Sequence, residues 1–175
     1  MLKYDLIRIV RPLIIEALET LELTDFEVLD HNQFTKQQLE NHTITFQVIN
    51  DRKVGFRQSK QKYDHHQAKE IYTQKKEVMM QLMCFLKEDV SNLSVTSQDI
   101  LNRVSLYFEA EHTLIKLLKN NVGFARGTEV KQIPIRDEGE NYIIVSNLDL
   151  VFVVSDSFDV NIQTIQEVNQ KIERI

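Results

Sequence analysis

The feature that most constrains the fold is a capped amphipathic helix followed at once by an extended segment, within residues 96–134. Either Thr96 or Ser97 is the expected N-cap, because a short hydroxyl side chain can accept a hydrogen bond from a free N–H group of the first turn. Apolar residues then recur at helical spacing over 100–119, and the chain looks extended over 122–133. The apolar row consists of Ile100, Leu101, Val104, Phe108, Ile115 and Leu118, with Glu111 interrupting it. The segment therefore predicts one long helix that leads back into a sheet.

A second amphipathic helix is predicted near the N-terminus, over residues 2–23. Pro12 lies inside its apolar pattern and is expected either to kink the helix or to mark a new first turn near Arg11, because proline removes a backbone N–H from the helix interior. A short strand within residues 24–30 and a polar loop over 31–41 should follow.

Strict alternation of apolar and polar residues predicts a strand over 43–48. Asn50 and Asp51 form a turn signal, after which residues 54–57 would continue as the partner strand. Residues 58–67 are polar and basic, and two interpretations stay open for them: a hairpin whose second strand runs past the core, or a solvated loop.

Residues 67–88 allow two assignments that periodicity alone cannot separate. As a strand, every second residue from Val78 to Leu86 is apolar and makes one unbroken apolar face. As a helix, some of the same residues form a stripe, and the Met, Lys, Glu and Gln side chains favour helix.

The clearest predicted strand covers residues 142–154. One of its faces is almost wholly apolar and should lie under a helix, whereas the other tolerates partial exposure. The apolar face consists of Tyr142, Ile144, Ser146, Leu148, Leu150, Phe152 and Val154. The tail, residues 160–175, fits either a helix or an extended C-terminal arm.

These elements predict an α+β fold: a mainly antiparallel sheet of four or more strands with two long helices packed on one face. With 175 residues and few glycines or prolines, the chain is expected to form a single domain over 1–175. A protruding hairpin is expected around residues 50–76. No apolar run is as long as a membrane span, so no membrane partner is predicted. Cys84 stands alone in an apolar run and is interpreted as a buried, inert thiol.

Charge is distributed unevenly along the sequence. Residues 52–76 contain eight Lys and Arg against two Asp and Glu, a net charge of +6. Because the whole chain has a net charge of −5, the remaining residues together carry −11. A basic segment on an acidic body could bind an anion, or it could meet the acidic surface of another copy or of a different partner. The candidate subunit-interface residues are Arg52, Lys53, Arg57, Lys60 and Lys62.

A search for catalytic motifs gives no catalytic, cofactor-binding or metal-binding residues, and the chain is predicted not to be an enzyme. His65 and His66 are adjacent, and on a strand they would point to opposite faces, which disfavours a shared metal. Glu129 and Lys131 have the Glu-x-Lys spacing of one class of metal-dependent nucleases, but no Pro-Asp precedes them to complete a metal site.

The order of elements resembles that of the phage tail terminator family, also called neck terminator or tail completion proteins. The resemblance rests on Met-Gln-Leu-Met-Cys-Phe over 80–85, Asn-Val-Gly-Phe-Ala-Arg over 121–126 and Val-Lys-Gln-Ile-Pro over 130–134, set between the helices and the long strand at 142–154. It implies an α+β subunit that assembles into a ring, usually a hexamer, with no cofactor. It also favours the strand assignment for residues 67–88.

The function that this resemblance implies is that of a structural virion protein. It would cap the end of a phage tail tube and form part of the head–tail interface at the neck, after assembly in the host cytoplasm. Its expected partners are other copies of itself, tail tube and possibly sheath subunits, and a head-side neck protein, with DNA only as passing cargo. The alternatives are another assembly component, such as a baseplate or head-completion protein, or the nuclease weighed above.

Overall fold

The computed structural model of the chain describes residues 3–33, 42–64, 67–86, 95–136 and 142–162. Within these ranges the chain forms three α-helices, a short 3-10 turn at His31–Gln33 and a six-stranded sheet. The helices are α1 (Lys3–Thr20), α2 (Ser97–Glu109) and α3 (Glu111–Lys119). The strands are β1 (Glu27–Asp30), β2 (Thr43–Asp64), β3 (Gln67–Phe85), β4 (Val122–Gly127), β5 (Lys131–Arg136) and β6 (Tyr142–Ile162).

The sheet has the strand order β1-β2-β3-β6-β4, and β5 pairs with the first part of β6. The β1–β2 pair is parallel and the other described pairs are antiparallel. The predicted α+β class is confirmed, but the sheet is mixed, because the chain crosses between β1 and β2 instead of turning back in a tight hairpin.

Three helices replace the two long ones that the sequence predicted. The predicted helix over 100–119 is divided at Ala110, whose backbone is extended (φ −67°, ψ 139°). The break lies next to Glu111, which interrupted the apolar row in the sequence. In α3, Leu117 faces the core, while Ile115 and Leu118 are exposed, so the apolar row of the sequence does not continue across the break.

The start of α2 follows the predicted capping chemistry. The Thr96 side chain accepts a hydrogen bond from the Asp99 backbone N–H, and the Asp99 carboxylate accepts one from the Thr96 backbone N–H. At the other end of the chain, α1 runs through Pro12 as one helix, so the expected new first turn near Arg11 is not formed. Pro12 itself is exposed on the side of α1 away from the sheet.

The predicted turn at Asn50–Asp51 is wrong, because residues 43–64 form the single strand β2. At that position the register of β2 against β3 shifts between Val48 and Asn50, which marks a β-bulge. The partner of β2 is not the segment 54–57 but β3, which confirms the strand assignment for the segment beginning at residue 67. The bulge absorbs one extra residue while the pairing continues on both sides.

The strand β6 pairs with β3 on one side and with both β4 and β5 on the other, each along a different part of its length. As predicted, the alternating residues from Ser146 to Val154 are buried under the helices. Val145 and Val151, on the face expected to tolerate exposure, are buried as well. The predicted strand over 122–133 is two strands, β4 and β5, separated by residues 128–130.

The core lies between the helices and one face of the sheet, and Cys84 is buried within it. Where α2 crosses the sheet, Phe108, Phe124 and Phe152 form a cluster with ring centroids 5.6–5.8 Å apart. The core ends at Val78 of β3 and Val154 of β6, although both strands continue beyond these residues. Among the described residues, no helix is both long and apolar enough to cross a membrane.

Candidate functional site

Beyond the core, three strands continue side by side as what we call the extension: residues 54–64 of β2, 67–75 of β3 and 155–162 of β6. The order of strands is β2-β3-β6, with β3 in the middle. Every residue from 49 to 62 on β2 is exposed. The C-terminal arm predicted for residues 160–175 begins as part of this sheet, at Val160 to Ile162, and its remainder lies outside the described residues.

All five predicted interface residues lie on β2, at the base of the extension or within it, and all are exposed. Arg52 is engaged within the chain, because its Nη2 atom lies 2.7 Å from Glu77 Oε2 on β3. For Lys53, Lys60 and Lys62 the described residues supply no ion-pair partner. The strand therefore presents a row of cations to solvent.

Two lysines of β3 are held by carboxylates of β6. Lys76 Nζ lies 2.6 Å from Asp156 Oδ2, and Lys69 Nζ lies 3.3 Å from Asp159 Oδ2. The hydrogen bond between Lys76 and Asp156 raises the pKa of the ammonium group and lowers the pKa of the carboxyl group. The positive charge of the 52–76 segment is thus partly neutralised within one subunit, and the excess is concentrated on β2.

Arg57 stands over two aromatic rings that the sequence reasoning did not select. Its guanidinium carbon lies 3.9 Å from the ring centroid of Tyr72 and 4.8 Å from that of Phe158. The two rings stack on each other with centroids 5.1 Å apart. Tyr72 donates a hydrogen bond from its hydroxyl to Glu70 Oε2 at 2.7 Å, and this bond raises the pKa of Tyr72. At these distances cation–π attraction favours the packing of Arg57 on the two rings.

A second bulge lies between Val54 and Gln58 and projects Phe56 into solvent. Gly55 has φ +72°, a left-handed conformation that residues with a side chain rarely adopt. The ring of Phe56 is 97% exposed, the highest value among the large apolar side chains described as exposed. The bulge thus leaves one large apolar side chain exposed within the extension.

The described residues give no support to metal-dependent catalysis. They contain no group of three or more His, Cys, Asp and Glu residues that could hold a metal ion. Glu129 was predicted to lie on a strand, but it lies in the connection between β4 and β5. Its side chain is exposed. His65 and His66 lie outside the described residues.

Among the surface pockets of the described residues, two contain basic side chains. One, of about 230 Å³, lies beside the Arg57 cluster and is bordered by Lys53, Lys76 and Asp156. The other, of about 320 Å³, lies between α1 and α3 and is bordered by Arg8, Lys116 and Lys119. Both are open to solvent and are bordered by charged side chains.

Comparison with known proteins matches the chain to a protein family. The family model described as "E217 gateway protein gp29" matches residues 5–170 of the chain. A solved structure similar to this chain is the PVC sheath/tube terminator of an extracellular contractile injection system in its extended state, with 9% identity and a TM-score of 0.44. That match covers 97% of this chain and 64% of the other, so the chain spans less than two thirds of the protein it resembles. No curated protein matches the chain.

The family match covers nearly the whole chain, and the family is one of phage structural proteins, which confirms the predicted resemblance to the tail terminator and neck proteins. The chain therefore belongs to the family of the E217 gateway protein gp29.

Proposed function

We propose that the chain is a structural virion protein that caps the end of a phage tail tube and forms part of the head–tail interface, as a ring of copies. The observation that carries the proposal is the match of a phage structural family to residues 5–170. We propose that the ring is a hexamer and that it lies in the neck of the virion. Tail tube and possibly sheath subunits would lie on one side and a head-side neck protein on the other.

The extension supports a role in assembly. It exposes cations and the Phe56 ring, and the described part of the chain gives neither of them a binding partner within the subunit, apart from the Arg52 ion pair and the Arg57 stack. Surface cations of this kind contribute little to the stability of the subunit. They raise the rate at which partners of opposite charge associate, and they fix the alignment of the two surfaces. Both effects would help copies of the chain to assemble into a ring.

The proposed role of the chain in capping the tail tube is tested by assembling tails in its absence. We expect tails that lack a normal end and fail to join heads, seen by negative-stain microscopy. Tails of normal length that still join heads would overturn the proposed function.

The role of the extension is tested by reversing three of its cations in the variant R57E/K60E/K62E. Because the reversal places like charges where opposite ones should meet, we expect fewer completed tails. A matched control, R103E/K119E/K131E, changes the net charge equally at exposed positions outside the extension. Normal completion with the first variant would show that the extension is not the assembly surface.

A further inference from the structure

The extension has two open edges. Within the described residues, β2 pairs with β1 only up to Phe46, and beyond that residue it pairs with β3 alone. On the opposite side, β6 pairs with β4 up to Val154, and from Ser155 to Ile162 it pairs with β3 alone. Open edges of this length carry unpaired backbone N–H and C=O groups and are templates for a further strand.

The two edges are complementary in charge. The β2 edge carries Lys53, Arg57, Lys60 and Lys62, and the β6 edge carries Asp156 and Asp159. Each carboxylate contacts a lysine of β3, yet their side chains remain 43% and 60% exposed. Exposed apolar side chains lie on both edges, Phe56 on β2 and Phe158 and Val160 on β6.

The strand directions suit a ring. Since β2 and β6 are both antiparallel to β3, they run parallel to each other, from the core towards the tip of the extension. In a ring around a single axis all tips point the same way, so β6 of one copy would meet β2 of the next in parallel. A two-fold dimer would instead pair two β2 edges in antiparallel.

We propose that residues 155–162 of β6 add to the open edge of β2 in a neighbouring copy, making one continuous sheet from copy to copy. The inference rests on the ring of the proposed function and names the strands that close it. Lys60 and Asp159 both pair with Ile71 and therefore lie at the same level and on the same face of the sheet. If neighbouring copies are related by rotation about the ring axis without a shift along it, Lys60 of one copy lies opposite Asp159 of the next.

Disulfide trapping tests this contact in assembled tails. The sole native cysteine, Cys84, is buried, so the double variant K60C/D159C offers only the introduced thiols. Within one copy these positions are two strand spacings apart, roughly 9–10 Å, beyond the ~7 Å limit for a disulfide. Any bond between them therefore joins two copies. The variant K62C/D159C tests the same pairing with the neighbour shifted by two residues.

On non-reducing denaturing gels we expect a ladder that extends beyond two copies for one of the double variants. The matched controls, K60C, K62C and D159C alone, should give no ladder. Dimers from K60C or K62C alone would show β2 pairing with β2 and overturn the inference. So would the absence of a ladder from both double variants when the chain is present on the tails. Absence of the chain from tails would overturn the proposed function itself.

Charge exchange gives an independent readout of the same contact. We expect K60E to lower the rate of tail completion by roughly two- to fivefold, the range of an exposed ion pair, and the double variant K60E/D159K to restore it. K75E makes the same charge change on the central strand β3, away from both edges, and should have no effect. A double variant no better than K60E would overturn the contact between Lys60 and Asp159.

Discussion

At the scale of single residues, side chains that look alike in the sequence serve different purposes. Leu150 on β6 is fully buried in the core, whereas Phe56 on the second bulge of β2 is almost fully exposed. Burial of a large apolar side chain contributes about 1.5–3 kcal/mol relative to its exposure, and Phe56 makes no such contribution within the subunit. In the proposed ring, Phe56 lies on the open edge of β2 that a neighbouring copy would cover.

Replacement of Leu150 by Ala should lower the free energy of unfolding by about 2–5 kcal/mol, because it removes buried methyl groups and leaves a cavity. Replacement of Phe56 by Ala, the matched exposed control, should change it by less than about 0.5 kcal/mol. Chemical denaturation monitored by circular dichroism measures both. A loss below about half a kcal/mol for the Leu150 variant would contradict its place in the core.

At the scale of elements, the helices are joined by a polar contact as well as by the core. Glu16 of α1 accepts hydrogen bonds from Tyr107 of α2, at 2.9 Å, and from Lys116 of α3, at 2.5 Å. The Lys116 contact is the largest cause of a lowered pKa for Glu16, followed among the favourable contacts by Tyr107. One carboxylate thus ties together the three helices, including the two that the break at Ala110 separates.

This contact predicts a pH dependence of stability. Because the folded state lowers the pKa of Glu16, its contribution is complete above the ordinary glutamate value of about 4.3 and is lost as the pH falls through the folded pKa. Wild type should therefore be more stable than E16Q near neutral pH, and the difference should shrink on the acid side of that value. Thermal melts from pH 7 to 3 measure it, with the exposed Glu19→Gln on the same helix as control. A difference that does not vary with pH would contradict the assignment.

At the scale of the whole molecule, the same strands pass from a closely packed core into a solvent-exposed extension. β3 is buried at Met80, Leu82 and Cys84, whereas the flanking strands of the extension are exposed over residues 54–62 of β2 and 157–161 of β6. Local opening costs little free energy where few apolar contacts must be broken. The extension should therefore be the less stable part of a continuous sheet until another molecule covers its edges.

Amide hydrogen exchange of the isolated chain should follow this gradient. We expect strong protection for the β3 amides near Met80–Cys84 and weaker protection over residues 69–75, measured by mass spectrometry. In assembled tails the amides of residues 155–162 that face away from β3 should become protected, because they would then donate to a neighbouring strand. Equal protection along β3 in the isolated chain would refute the gradient.

The sequence by itself determined the local elements whose signals lie within a few residues. Thr96 and Asp99 specify the start of α2, since a capping box is formed by neighbours in the chain. The alternation around Leu150 specifies β6 and its core face. The charge count located the exposed cations of β2. Family resemblance, not periodicity, decided that β3 is a strand.

Only the tertiary structure decided how far the strands run and what they touch. The turn signal at Asn50–Asp51 was overridden because pairing with β3 continues past it, and a bulge costs less than the loss of that pairing. The stack of Arg57 on Tyr72 and Phe158 joins three strands, and no local pattern reports a contact across about a hundred residues of sequence. The edges of β2 and β6 that are open within the described residues are likewise a property of the sheet, because an edge is defined by which strands lie beside it.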